Sequence, residues 1–334
     1  MASPRTFALV GSETLLGREV RDLAGEGGYP FDLRLVAAGA ERAGTLTALG
    51  DEAAVLGGLS AESLEGAGGL ILAAPAEAAR KAVKLAPHGV PVIDLAFAAE
   101  EHPDARLRAP SAEPAGYRPP RATAQVIAHP AAIALAAFLR RVAAYHAIRR
   151  ATAWICAPAS ERGAAGIEEL HQQALSLFAF KPLVKDVFDA QLSFNMLARW
   201  GEEAAPPLED VELRIERHLA TLLSLEGEGA GAPMPSLKLV QAPVFHGYSF
   251  SLWVEFAHPP GMEALEEALA APGIDWRGAD LEPPNNVGQA GQDGIAVGAA
   301  GLDRNHRQAC WFWMVADNLR LAAHNALEVA RQCA

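Results

Sequence analysis

The chain has 334 residues, 40 acidic against 28 basic side chains, a formal net charge of -12 and 51% apolar residues. This length and apolar content suit two domains with a substantial core each and argue against disorder. The acidic balance argues against nucleic-acid or anionic-membrane partners, which select clustered Lys and Arg. Cys156, Cys310 and Cys333 share no metal-ligand spacing, which argues against a disulfide framework or a zinc site.

The N-terminal MASPRTFALVGSE has too short an apolar run for a signal peptide, and the apolar run from Ala131 to Leu139 stops at Arg140-Arg141. The expectation is a soluble cytoplasmic protein. TFALVGSETLLGREVRDLAGEGG reads as a buried strand, a tight turn and an amphipathic helix, and LRLVAAG as a second strand. The turn Gly11-Ser12-Glu13-Thr14-Leu15-Leu16-Gly17 has the outer glycines of a dinucleotide turn. Its middle place is Thr14, and Glu13 puts a negative charge where a pyrophosphate would lie. Cofactor binding and a nucleotide-type fold with an emptied site both stay open.

Strands GGLILAAP and PVIDLAF follow, with the helical AEAARKAVKLAP between them, and then AQVIAHP. Strands alternating with helices predict a Rossmann-type doubly wound parallel sheet through about residue 130. Next, IAHPAAIA hands a strand to a helix over 133–145, a favoured place for a nucleophile or a bound anion, yet it holds Ala131 and Ala132. IRRATAWICAPAS, PSLKLVQAPVFHGYSFSLWVEF and CWFWMVA read as longer β-branched and aromatic strands, separated by the helices GIEELHQQALSLF and LEDVELRIERHLATLL. They predict an α+β domain on a mixed or antiparallel sheet. ADNLRLAAHNALEVARQ predicts a last helix that returns to the first domain. The expected division is 1–130 with 316–334 as the NAD(P)-binding domain, and 131–315 as the dimerisation domain.

Five ordered segments carry a family resemblance over essentially the whole chain. GSETLLGREV is similar to GATGAVGREM, and VIDLAF with PDARL to VIDNSSAF with PD. GAAGIEEL is similar to GKEGIDEL, QAPVFHGYSFSLWVE to RVPVLRGHSEAVNVE, and VADNLRLAAHNALEVA to VSDNLRKGAALNAVQIA. The chain thus resembles aspartate-semialdehyde dehydrogenase, most closely its Usg-type paralogues. The resemblance implies a Rossmann domain, a catalytic and dimerisation domain, and a homodimer. Active members use a cysteine to attack the aldehyde, NADP to take hydride from the thiohemiacetal, and phosphate to release aspartyl phosphate.

Carried onto this chain, the nucleophilic cysteine falls on Ala132 and the glutamine after the catalytic strand on Ala157, next to Cys156. The substrate arginine falls on Gln241, the acid/base histidine on Tyr248, and the phosphate arginine near Glu100. Glu216 matches the retained substrate glutamate. The cofactor positions are Gly11, Thr14, Gly17, Ala74, Pro75 and Asn318. Glu41 stands where an arginine holds the NADP 2′-phosphate, with Arg42 one place on, so NADP and NAD are both weakened and NAD is tolerated better.

Three functions follow. The first is a catalytically silent homologue serving as a dimeric scaffold, regulatory protein or small-molecule binder, homodimeric or paired with an active relative. The second is an active NAD(P)-dependent oxidoreductase on aspartate semialdehyde or a related aldehyde, in amino-acid biosynthesis. The third is a non-redox acid/base enzyme, which requires Glu216, His246 and Tyr248 around one cavity.

Overall fold

A computed structural model describes residues 5–39, 42–50, 52–120 and 122–334. Glu41, one of the residues expected to govern the 2′-phosphate, lies outside them. The chain divides into two compact units: Met1–Pro110, Tyr117–Ala128 and Ala322–Ala334 form one, and Ser111–Gly116 with His129–Leu321 the other.

In the first unit the elements run β1 (Arg5–Val10), α1 (Leu15–Gly25), β2 (Phe31–Val36), β3 (Leu46–Leu49), β4 (Glu52–Val55), α2 (Ala61–Leu64), β5 (Gly69–Leu72), α3 (Ala76–Leu85), β6 (Val92–Asp94), β7 (Ala105–Arg108) and β8 (Ala124–Ile127). Six of the strands form one sheet in the order β2-β1-β5-β6-β8-β7, and every pairing in it is parallel. This is the doubly wound sheet expected. Its central strands are buried on both faces, as Phe7 to Val10 and Leu70 to Leu72 show, which is why they read as continuous apolar runs. The register Val10↔Val36 and Val10↔Leu72 brings the C-terminal ends of β2, β1 and β5 level. The hairpin β3–β4 was not expected, because LTAL and EAAV are short and largely exposed.

Two buried charged groups brace this unit. Asp94 accepts from the N–H groups of Ala96 and Ala99, shaping the turn after β6, where Phe97 takes a φ of 56°. Burial raises its carboxyl pKa against those hydrogen bonds. Arg108 donates to Gln125 and to Gln332.

The second unit begins with α4 (Pro130–Ala143), then β9 (Ile148–Ala157), a short 3-10 turn (Ala159–Arg162), α5 (Gly163–Phe178) and α6 (Leu208–Leu223). It continues with β10 (Ser236–Gln241), β11 (Tyr248–Phe256), α7 (Met262–Leu269), β12 (Ile274–Arg277), α8 (Asn286–Gln289), β13 (Ile295–Leu302), β14 (Ala309–Ala316) and α9 (Asn318–Cys333), whose residues from Ala322 belong to the first unit. The sheet order is β10-β9-β11-β14-β13-β12, a mixed sheet with parallel pairs at both edges.

The segment PSLKLVQAPVFHGYSFSLWVEF is two strands rather than one. Pro243 lacks a ladder N–H and Gly247 takes a φ of 81°, so the chain turns there. β10 then pairs with one side of β9 and β11 with the other. Strand β11 alternates: Tyr248, Phe250, Leu252, Val254 and Phe256 are buried. On the neighbouring β14, Phe312 faces the same side and packs edge-on against Phe138 of α4 at 5.1 Å. Helix α4 starts earlier than the expected 133, because Pro130 at its first position is pre-set for a helix and His129 caps it. Helix α9 starts later than the expected 316, because Ala316 still belongs to β14 and the Asp317 carboxylate accepts from the N–H groups of Leu319 and Arg320.

Among the described residues no helix is long and apolar enough to cross a membrane.

Candidate functional site

The residues singled out by sequence fall in two places, one in each unit. In the first unit, Gly11 ends β1 with a φ of 84°, and a Cβ there would lie 2.5 Å from Ala74 Cα. A Cβ on Gly17 would overlap the Gly11 carbonyl. Both glycines therefore do what a dinucleotide turn needs: one bends the chain, the other lets helix and strand close up. Thr14 needs no glycine-like conformation, because it sits at a φ of -68° as the N-cap of α1. Its hydroxyl accepts from the Gly17 N–H at 2.9 Å and donates to the Ala73 carbonyl at 2.9 Å. Pro75 opens α3 and is exposed. Glu100 sits half-buried on the turn that Asp94 shapes.

Glu13 does not point over the turn as a bare charge. Its Oε1 accepts from the Ala38 N–H at 2.7 Å, two residues past the end of β2. Its Oε2 is buried with no hydrogen-bond partner.

In the second unit, Ala132 lies in the first turn of α4 with no solvent exposure. Around that turn is a network the sequence did not reveal. The His129 N–H donates to His218 Nδ1 at 2.8 Å, and His129 Nδ1 accepts from the Ala131 N–H at 3.2 Å. With Nδ1 accepting, the ring proton is assigned to Nε2, which faces Glu161 Oε1 at 3.2 Å. The other carboxylate oxygen, Glu161 Oε2, accepts from the Tyr248 hydroxyl at 2.7 Å. The His129 ring also meets the Tyr248 ring edge-on at 5.7 Å.

Burial pushes the Glu161 carboxyl up, but His129, the Tyr248 hydroxyl and Arg214 together outweigh it and hold it below its ordinary value. Burial first, and the Glu161 charge second, lift the Tyr248 phenol well above its ordinary range.

The remaining aligned positions are also committed to the fold. Ala157 is buried at the end of β9, and its carbonyl accepts from Gln241 Nε2 at 2.9 Å. Gln241 is itself fully buried, and its Oε1 accepts from Trp200 Nε1 at 3.3 Å. Asn318 Oδ1 accepts from Ser160 Oγ and from the Gly247 N–H, both at 3.1 Å. It braces the turn before β11 against the segment that carries Glu161.

Strand β9 runs through Cys156 without a bulge, so Ala157 and Cys156 face opposite sides of the sheet, Cys156 beside the half-exposed Trp154. Burial raises the Cys156 thiol pKa, leaving little thiolate at neutral pH.

Helix α6 reaches the network through Arg214 and His218, one turn apart. Glu216 is half-buried and lies about 200° round the helix axis from each of them. His246 sits in the turn before β11, its carbonyl accepting from Asn286. At the Tyr248 hydroxyl the structure places Glu161, whose other oxygen meets His129.

Glu161 is the residue sequence reasoning missed. One signal pointed to it: a buried Tyr needs an acceptor for its hydroxyl, and PASERG places a carboxylate just beyond β9.

Comparison with known proteins agrees with this architecture. The family model described as semialdehyde dehydrogenase, dimerisation domain, matches residues 142–321. A USG-1 protein homolog of Pseudomonas aeruginosa is 30% identical over 335 residues, covering 97% of this chain and 95% of that protein. An aspartate-semialdehyde dehydrogenase of Rickettsia bellii is 24% identical over 99% of this chain and 98% of its own. The solved structure of a probable aspartate-semialdehyde dehydrogenase from Pseudomonas aeruginosa superposes with a TM-score of 0.83 at 28% identity, covering 99% of this chain and 98% of that one. The chain belongs to the aspartate-semialdehyde dehydrogenase family, on its Usg-like side.

Proposed function

We propose that this protein is a homodimeric member of the family that no longer carries out thioester chemistry, and that it serves as a scaffold, a regulatory partner of an active relative or a small-molecule binder. The observation that carries this is the turn at Ala132: a buried methyl stands at the nucleophile's place, and the polar groups beside it are bonded to one another. A methyl cannot form a thiohemiacetal, and Cys156 faces the other side of the sheet. With aspartate semialdehyde, phosphate and either NADP or NAD, the expected result is no reduced nicotinamide at any protein concentration. Sustained turnover would overturn the reading.

The His129–Glu161–Tyr248 network is what favours an acid/base enzyme instead. Its protonation states speak against that use. A carboxylate held below its ordinary pKa is a weak base, and a phenol held above its own is a weak acid. The network is better suited to filling and fixing the old site than to moving protons.

The dimer reading rests on the matched dimerisation domain and on the outer face of the second sheet. There Trp154, Trp253, Trp311 and Trp313 lie on adjacent strands, the register pairing Trp253 with Trp311 and setting Ser251 beside both Trp154 and Trp313. Trp154 and Trp311 are 48% and 46% exposed in the single chain, and aromatic patches of this kind are enriched in interface cores. The paired substitution Trp154→Glu and Trp311→Glu is expected to give monomers by light scattering at micromolar concentration. An unchanged dimer would place the interface elsewhere.

A further inference from the structure

We propose that the segment 178–200 of the second unit is an arm that docks on a second copy of this chain and supplies the larger share of the self-contact. This rests on the homodimer reading and extends it to a surface outside the tryptophan face.

Between α5 and α6, from residue 179 to 207, the chain forms neither helix nor strand, apart from the bridge Leu197↔Gln241. A connection this long inside a compact unit is usually functional or disordered. This one is pinned. The buried Glu169 carboxylate of α5 accepts from the N–H groups of Val187 and Phe188. One turn on, the buried Gln173 accepts from the N–H groups of Leu192 and Ser193 and donates to the Val184 and Ala190 carbonyls. Phe188, Leu192 and Trp200 are buried, and Arg162 lies over the Trp200 ring at 4.9 Å.

The same arm leaves large apolar side chains outside. Phe178, Phe180 and Phe194 are 75%, 98% and 68% exposed, and the Phe178 and Phe194 rings meet edge-on at 5.6 Å. Phe180 and Phe194 take φ values of 53° and 60°, a left-handed backbone that phenylalanine rarely adopts. Order and strain of this kind, ending in three exposed rings, mark a surface that another chain covers.

Three observations make that chain a second copy. The matched dimerisation domain, residues 142–321, contains the whole arm. At the bridge, Leu197 and Gln241 exchange both backbone hydrogen bonds at 2.9 Å. The arm therefore continues the sheet past its edge strand β10, next to β9 and its Trp154. The third observation is area. Trp154 and Trp311 expose about 230 Å² between them and the three phenylalanines about 480 Å², at the ~200–250 Å² such side chains can bury. A stable interface takes roughly 800 Å² from each partner. The tryptophan face alone falls far short, and the arm brings the total close.

The test is carbene footprinting and sedimentation equilibrium of the full chain. In the wild type, labelling of Phe180 and Phe194 is expected to fall at least about fivefold as concentration carries monomer into dimer. The double substitution Phe180→Asp and Phe194→Asp suits the left-handed backbone, which aspartate adopts more readily. It is expected to raise the dimer dissociation constant at least about 100-fold. Its circular dichroism spectrum, read alongside, is expected to match that of dilute wild type. Unchanged affinity in the folded variant, or rings labelled equally at every concentration, would overturn the arm's role while the homodimer stands. A wild type that stays monomeric at every concentration would overturn the homodimer reading, and the arm with it.

Discussion

Ala132→Cys is expected to remain inactive, with turnover of aspartate semialdehyde at least about 10⁴-fold below that of an intact member of the family. The reason, on the proposed reading, is cooperative loss. Groups that act as a unit in catalysis do not contribute additively, so restoring one of several missing members recovers little. A thiol at residue 132 would gain from the N-terminal end of α4. Its proton, however, would have to pass to a site where Tyr248 is a phenol lifted well above its ordinary pKa. At the position aligned with the family's substrate arginine stands Gln241, fully buried and bonded to Ala157 and Trp200. The variant is checked by nicotinamide absorbance and by its rate of alkylation. A labelled thiol without turnover fits this account, and turnover from the single substitution would show that the other losses do not matter.

Glu161→Ala is expected to destabilise the second unit by about 3–5 kcal/mol, since it leaves the Tyr248 hydroxyl and the His129 Nε2–H buried without their acceptor. At about 2–4 °C per kcal/mol that is a fall in Tm of roughly 6–20 °C by circular dichroism. Tyr248→Phe, which leaves Glu161 with His129 and Arg214, is expected to cost less, about 1–2 kcal/mol. Adding Tyr248→Phe to Glu161→Ala should then cost little more, or recover some stability.

The pH dependence follows from the direction of the shift. The Glu161 pKa is lowered in the folded chain, so its contribution is complete above the unfolded carboxyl value, near 4.3, and is lost as pH falls from there through the folded value. Tyr248 is shifted the other way. Its contribution is complete below the unfolded phenol value, near 10, and is lost as pH rises beyond it. Glu161→Ala should flatten the acid limb. A drop under about 2 °C with an unchanged acid limb would mean that the network does not hold the unit together.

The parallel sheet was legible in the sequence because buried central strands are unbroken apolar runs between glycine turns, as in RTFALVG and GLILAAP. Strand β13 was not. IAVGAAGL is poor in β-branched and aromatic residues, and it stays in the sheet by close packing: a Cβ on Gly298 would lie 2.8 Å from the Pro284 ring. The alignment of Ala132 and Tyr248 with the family's cysteine and histidine could be drawn because Pro130 and Gly247 anchor their segments. The network at Tyr248 could not be read, since His129, Glu161 and Tyr248 are brought together only by three separate elements closing on one another. Glu13 was readable as a charge in the turn, but its bond to Ala38 spans 25 residues and depends on the level ends of β1 and β2.

The most direct test of catalytic silence is a single-turnover experiment, with the protein in excess over aspartate semialdehyde and with NADP or NAD, read at once by nicotinamide absorbance and intact mass. The account predicts no burst and no covalent acyl adduct, with phosphate present or absent. A stoichiometric burst, or an aspartyl adduct mapping to Cys156 or any other side chain, would contradict it.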